Sequence, residues 1–219
     1  MEKWGGEGKR GAKAQFRPTI NLTASFFHSL SLEPFAALRM HPSAPLRMHP
    51  SAPLRMHKGE LEFDLVSDGN LWVDPGGPFG LVPRALYRRI VEPNENHLIL
   101  QSLTCLLVRS DGKAILIDTG LGPKLDVKEI QNWGLVRPGG GLVQGLARLG
   151  LSPGEIDLVL CTHLHADHCG GNTRLEDGQV VPTFPNATYL VQRIEWADAS
   201  HPDPRTRGTY FADNFAPLV

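Results

Sequence analysis

The sequence predicts an α/β fold, on three observations. A continuous apolar run, Ala114-Ile115-Leu116-Ile117, ends on a carboxylate, Asp118. A helix-then-strand unit fills Leu142 to Cys161. The strand of that unit runs directly into His163, His165, Asp167 and His168, four metal-competent side chains within six residues.

The first landmark along the chain is a repeat. Arg39-Met40-His41-Pro42-Ser43-Ala44-Pro45-Leu46 recurs as Arg47 to Leu54, and Arg55-Met56-His57 starts a third copy. Two prolines in each eight-residue copy remove amide donors and fix φ, which excludes a helix or a central strand. Residues 1–58 are therefore expected to be a disordered basic extension, with nine Lys/Arg against three Asp/Glu, a net of +6. A Pro-rich docking tail or a His-rich metal tract is the functional alternative. Tandem duplication of DNA is the simpler source, and because each copy carries a Met, Met56 is favoured as the native start. Residues 59–219 carry thirteen Lys/Arg and twenty Asp/Glu, a net of −7. That acidic balance argues against a nucleic-acid surface.

Leu61, Phe63 and Leu65 alternate with Glu62 and Asp64, the pattern of a half-buried strand. Asp68-Gly69 reads as a turn, with Leu71-Trp72-Val73 as the partner strand. Residues 84–91 predict a short helix, and Leu98 to Val108 a strand. Asp111-Gly112 is a hairpin signal leading into the Ala114–Asp118 strand. Leu142, Leu146 and Leu149 have helical spacing, with Gly150 placed to cap the C-terminus. Ser152-Pro153-Gly154-Glu155 has a capping-box pattern with Pro at the first helical position. Ile156 to Cys161 follows as a buried strand. Ala187 to Val191 predicts a further strand and Arg193 to Ser200 a helix.

The cluster carries the chemistry. Neutral imidazole and carboxylate are the usual zinc donors. In an extended segment alternate side chains point the same way, so His163 and His165 can grip one ion from one side. A turn into helix at Ala166 would swing Asp167 and His168 toward a second. Two ions roughly 3.5–4 Å apart can clamp a bridging hydroxide and polarise the bond it attacks. Gly170-Gly171 leaves room for close backbone approach.

Thr162-His163-Leu164-His165-Ala166-Asp167-His168-Cys169-Gly170-Gly171-Asn172 resembles the H-x-H-x-D-H motif of the metallo-β-lactamase superfamily. Ile117-Asp118-Thr119-Gly120 resembles that superfamily's earlier strand-end aspartate motif. Pro182 to Ala187 and Gln192 to Trp196 are similar to the next strand and helix of the subgroup of N-acyl-homoserine lactonases and organophosphate-hydrolase-like proteins. The resemblance implies an αββα sandwich with metals at one edge, of which residues 59–219 would be the N-terminal part. It implies two zinc ions, with iron or manganese as alternatives. His163 and His165 would serve the first and Asp167 and His168 the second, with Asp167 also positioning the nucleophile and Asp118 behind them orienting the site. The implied activity is metal-dependent hydrolysis of a lactone, ester or related small molecule. A single-iron enzyme oxidising thiols or sulfur species is the alternative within the fold, and an inactive fragment the alternative outside it.

The family's remaining ligands, a third histidine, a bridging aspartate and a final histidine, lie further along, and no matching Gly-His-rich loop follows residue 172 here. His201, the only later histidine, and Cys169, beside His168, are read as non-ligands. Trp72, Trp133 and Phe79 are assigned to packing, His97 to a solvent-facing strand entrance, and Tyr210 to a surface helix. Cys105 and Cys161 are expected in the core. Three cysteines without an even, closely spaced framework point to reduced thiols, hence a cytoplasmic setting. No stretch approaches the roughly 18 apolar residues that span a bilayer. A small-molecule partner is expected, with no nucleic acid and no membrane; the oligomeric state is left open.

Overall fold

The computed structural model describes residues 55–219. The expected disorder of the repeat segment up to Leu54 lies outside the described residues. The boundary at residue 58 needs correction. Arg55–Lys58 is a strand, β1, antiparallel to the start of β2 (Leu61–Val73) across a turn at Gly59, which has φ +64°. Arg55 is held because its Nε donates 3.0 Å to Asp64.

Strand β2 departs from the alternation read in the sequence. Asp64 is fully buried, while Leu61, Phe63 and Leu65 are half-buried. The inner face tolerates the carboxylate because two guanidiniums, from Arg55 and Arg109, converge on it. Nor is Asp68-Gly69 a hairpin turn. Strand β2 continues through it, with a register shift between Ser67 and Gly69, and pairs along its length with β3 (Ile99–Ser110). Gly69 has φ +127°, and a side chain there would strike Arg137 and the Val136 carbonyl. The Asp68 carboxylate turns inward and accepts from Gly122 N (3.0 Å), Leu142 N (3.0 Å) and Arg137 Nη2 (2.7 Å). Dipeptide chemistry that usually makes a turn is used here for a bulge and a buried tether.

Short helices α1 (Gly76–Phe79) and α2 (Arg84–Tyr87) follow β2, and the Phe79 and Tyr87 rings stack at 5.0 Å. Exposed His97 leads into β3. The Asp111-Gly112 hairpin forms as expected, with φ +50° and +71°, and delivers β4 (Lys113–Ile117). Helix α3 (Val127–Asn132) is opened by an Asp126–Glu129 capping box. Helix α4 (Leu142–Arg148) buries Leu142 and Leu146, and Gly150 at φ +77° ends it. The Ser152–Glu155 box caps only one 3₁₀ turn before β5 (Leu158–Leu160). Helix α5 (Ala166–Cys169), the hairpin β6 (Thr173–Glu176) and β7 (Gln179–Pro182), β8 (Thr188–Leu190) and α6 (Arg193–Ser200) complete the named elements.

The main sheet has the order β1-β2-β3-β4-β5-β8. Strands β4, β5 and β8 run parallel and the others antiparallel. One face carries Val66, Cys105, Leu107, Leu116 and Val159, packed with Leu142 and Leu146 of α4, Ala199 of α6, Ile156, Phe184 and Phe215. Cross-strand register puts Phe63, Val108, Ile115 and Leu158 in one row of the other face, and Leu65, Leu106, Ile117, Leu160 and Leu190 in the next. None of these nine is fully buried. A large mixed sheet with helices on one face is the α/β architecture expected, with an apolar second face suited to the other layer of a sandwich. Among the described residues no helix is long and apolar enough to cross a membrane.

Candidate metal centre

Parallel pairing of β4 with β5 sets the carboxyl ends of both strands side by side. Asp118 follows β4 at φ +58°, and its amide donates to the Leu160 carbonyl at 3.0 Å. The chain after β5 is neither helix nor sheet up to His165, itself extended at φ −62° and ψ 150°, then turns into α5 at Ala166. The loop after Asp118 lies directly under that turn. Thr119 N donates to His168 O at 2.7 Å and Gly171 N to Gly120 O at 3.2 Å. Side chains at Gly170 and Gly171 would meet the carbonyls of Leu121 and Thr119, so the close approach of the two loops needs glycine there.

The cluster converges. The His163 ring lies 3.9 Å from that of His168 and 4.6 Å from that of His165, centroid to centroid. Asp167 Oδ2 is 3.6 Å from His168 Nε2. Asp118 Oδ2 is 2.8 Å from His168 Nδ1. Thr162 completes the arrangement: its amide (2.8 Å) and hydroxyl (3.0 Å) both donate to Asp118 Oδ1. With Nδ1 occupied by Asp118, the free nitrogen of His168 is Nε2, on the Asp167 side.

The electrostatics follow from these contacts. Hydrogen bonding to Asp118 raises the His168 imidazole above its usual value, against the opposing effect of burial. Burial pushes the Asp118 carboxyl up, but His168 and the two Thr162 donors outweigh it and leave it lowered. Burial, then the neighbouring His168 and His165, lowers His163 and favours its neutral, ligating form.

The donor types, imidazole and carboxylate, are those that divalent metal takes. Two donors about 2.1 Å from a tetrahedral ion lie about 3.4 Å from each other, close to the Asp167–His168 separation of 3.6 Å. The His163 and His165 rings meet edge to face, at an interplanar angle of 72°. Among the described residues no group of three or more His, Cys, Asp or Glu is gathered tightly enough to hold an ion as it stands.

Cys105, Cys161 and Cys169 are free and buried, and Cys169 Sγ faces the Leu164 carbonyl at 3.2 Å. His201 is exposed just after α6. Trp133 packs against the cluster of Leu71, Leu103 and Leu121. Tyr210 is not on a helix; its ring stands edge-on to His165 at 4.9 Å, because Thr209 O accepts from Ala166 N at 2.9 Å and draws that segment onto the site. Burial and nearby Glu195 hold the Tyr210 phenol above its ordinary value. Three contributors carried no signal in the sequence. Glu195 Oε1 accepts from Leu164 N at 2.8 Å. Thr209 binds Ala166 as above. Lys124 Nζ donates to Gly170 O (2.6 Å), Thr173 O (2.9 Å) and Thr173 Oγ1 (2.6 Å).

This combination defines a class: α/β proteins with a histidine-carboxylate centre at the carboxyl edge of a mixed sheet. The model of the metallo-beta-lactamase superfamily matches residues 101–213, and the chain belongs to that superfamily. It is similar to the N-acyl homoserine lactonase AttM of Azorhizobium caulinodans, 36% identical over 83 residues, covering 38% of this chain and 28% of that protein. It is also similar to the N-acyl homoserine lactonase AiiA of Bacillus thuringiensis subsp. kurstaki, 30% identical over 112 residues, covering 44% and 39%. Among solved structures, a probable metal-dependent hydrolase from Staphylococcus aureus superposes with TM-score 0.67 at 32% identity, over 73% of this chain and 56% of that one. The dizinc quorum-quenching lactonase AidC, in complex with a product, gives TM-score 0.57 at 25% identity, over 76% and 57%. The chain thus spans little more than half of these solved structures, and less of the curated relatives it matches.

Proposed function

We propose that His163, His165, Asp167 and His168 hold divalent metal, two zinc ions in the complete site, for hydrolysis of a lactone or related small ester. The observation that carries this reading is the convergence of three imidazoles and Asp167 at one strand end, with Asp118 fixing the far nitrogen of His168. Bound there, such ions would supply a hydroxide nucleophile at neutral pH and Lewis acidity for the attacked carbonyl. The chain's own residues do the preparation. Asp118, itself held by Thr162, orients His168 and keeps Nε2 toward Asp167. Partial burial keeps His163 neutral. Asp167 contributes negative charge that balances cations. The loop beneath, locked to His168 O through Thr119, keeps the strand ends in register. The lactonase relatives favour a lactone over other esters.

The test is to titrate zinc and cobalt into the full chain and into His163→Ala. Specific, stoichiometric binding lost in the variant supports the reading; equal binding by both overturns it. Four donors give two to each ion, whereas a catalytic zinc usually has about three protein ligands. With excess zinc the 219-residue chain is therefore expected to turn over acyl-homoserine lactones far below an ordinary enzyme rate of about 1–1000 per second. Ordinary turnover abolished by His163→Ala would show that a further ligand completes the site.

A further inference from the structure

Three contacts converge on the stretch His163-Leu164-His165-Ala166 from outside the motif, and all come from residues 195–210. Leu164 lies between the two histidines with its side chain buried. Its amide sits in a segment that is neither helix nor sheet, so regular backbone pairing does not satisfy it. The acceptor is the Glu195 carboxylate, at 2.8 Å. On the far side of His165, Ala166 N donates to Thr209 O at 2.9 Å. The His165 ring itself meets the edge of Tyr210 at 4.9 Å. The backbone is thus pinned on both sides of one histidine, and its ring is walled.

Glu195 is well placed for this. It lies in the first turn of α6, whose N-terminus is capped by Gln192 Oε1, accepting from Ile194 N (2.7 Å) and Glu195 N (3.0 Å). The next residue, Trp196, packs edge-on against buried Phe215 at 5.5 Å, and Ala199 is buried one turn later. A helix fixed at its cap and along its apolar side presents a charged acceptor that does not drift. A charge-assisted bond to a backbone amide is stronger than a neutral one.

We infer that Glu195 is a positioning residue of the metal centre, holding the Leu164 amide so that His163 and His165 present their rings to one volume, with Thr209 and Tyr210 closing the other side. It acts through the backbone and needs no contact with metal or substrate. The inference rests on the cluster being a metal site. A positioning contact of this kind governs ligand orientation, and its loss typically weakens metal binding by about 10–100-fold.

The experiment compares the full chain with Glu195→Ala, Glu195→Asp and Glu195→Gln, using cobalt(II) as probe. Two quantities are read: the dissociation constant and the visible ligand-field spectrum of the bound ion, with thermal melting as a check on folding. Glu195→Ala is expected to bind cobalt at least tenfold more weakly with an altered spectrum. Glu195→Gln keeps an oxygen acceptor and should restore most of both. Should Glu195→Ala fail to fold, Glu195→Asp, a methylene too short to reach Leu164, carries the test and should give the weakened site. Unchanged affinity and spectrum in a folded Glu195→Ala or Glu195→Asp overturn the inference while leaving the metal site intact. An unmutated chain that binds no cobalt would instead overturn the metal site itself.

Discussion

The Asp118 carboxylate and the His168 imidazole, fifty residues apart in sequence, stand 2.8 Å from each other across two parallel strand ends. The contact decides which nitrogen of His168 is left for a ligand. Asp118→Asn keeps the size but weakens the acceptor and removes the charge. Zinc affinity, measured by competition with a fluorescent chelator, should fall by about 10–100-fold. Unchanged affinity would mean that Asp118 is only a strand-end residue bonded to Thr162.

Lys124 should show in the pH dependence of stability. Burial lowers its ammonium from 10.5 to about 8. Between about 8 and 10.5 the unfolded chain binds a proton that the folded chain releases, so this lysine makes stability rise with pH across that window. Lys124→Met should flatten the rise. At neutral pH it should also cost about 1–3 kcal/mol, because the carbonyls of Gly170 and Thr173 lose a charged donor. Urea melts from pH 7 to 10.5 test both; an equally steep rise in the variant would assign it to another group.

The thiols should be silent in the native state. All three are buried, and burial pushes Cys161 up to about 11 and Cys105 and Cys169 well above the ordinary thiol value. Thiolate is the reactive form. Alkylation by iodoacetamide at pH 8 should label none of them until urea unfolds the chain. Fast labelling of Cys169 in folded protein would show that the loop around His168 opens.

Truncation should separate the repeat from the strand that follows it. Removal of residues 1–54 is expected to leave the melting temperature unchanged. Removal of residues 1–58 also deletes β1 and with it the Arg55 contact to fully buried Asp64, and should lower it. Equal melting of the two truncated chains would show that β1 adds nothing to the sheet.

The gathering of His163, His165, Asp167 and His168 was legible because these residues are local: an apolar strand runs into histidines at alternate positions, and a two-residue spacing needs no tertiary knowledge. The αβ unit and the Asp111-Gly112 hairpin were legible for the same reason. Asp68 was misread because Asp-Gly is turn chemistry, whereas its three partners lie 54 to 74 residues onward at Gly122, Arg137 and Leu142. Asp64 was misread because period-two alternation places a carboxylate outside unless two arginines meet it inside. Glu195, Lys124 and Tyr210 act on the centre from a distance in sequence, and no spacing rule links them to it. The ligand roles remain what the resemblance to family motifs implies, because the residues alone leave them open.

The parallel pairing of β4, β5 and β8 also governs when the centre can exist during folding. Parallel neighbours cannot be joined by a tight turn, and here the crossovers between Ile117 and Leu158 and between Leu160 and Thr188 must be closed first. Such non-local pairing is slow compared with a hairpin. Asp118 meets His168 only after β4 and β5 have joined, so the β2–β3–β4 meander has time to form before the donors meet. A dissolved ion therefore encounters scattered histidines early and gathered ones late. Zinc added before refolding is expected to capture non-native chains and reduce the yield, whereas zinc added afterwards is expected to leave the yield unchanged.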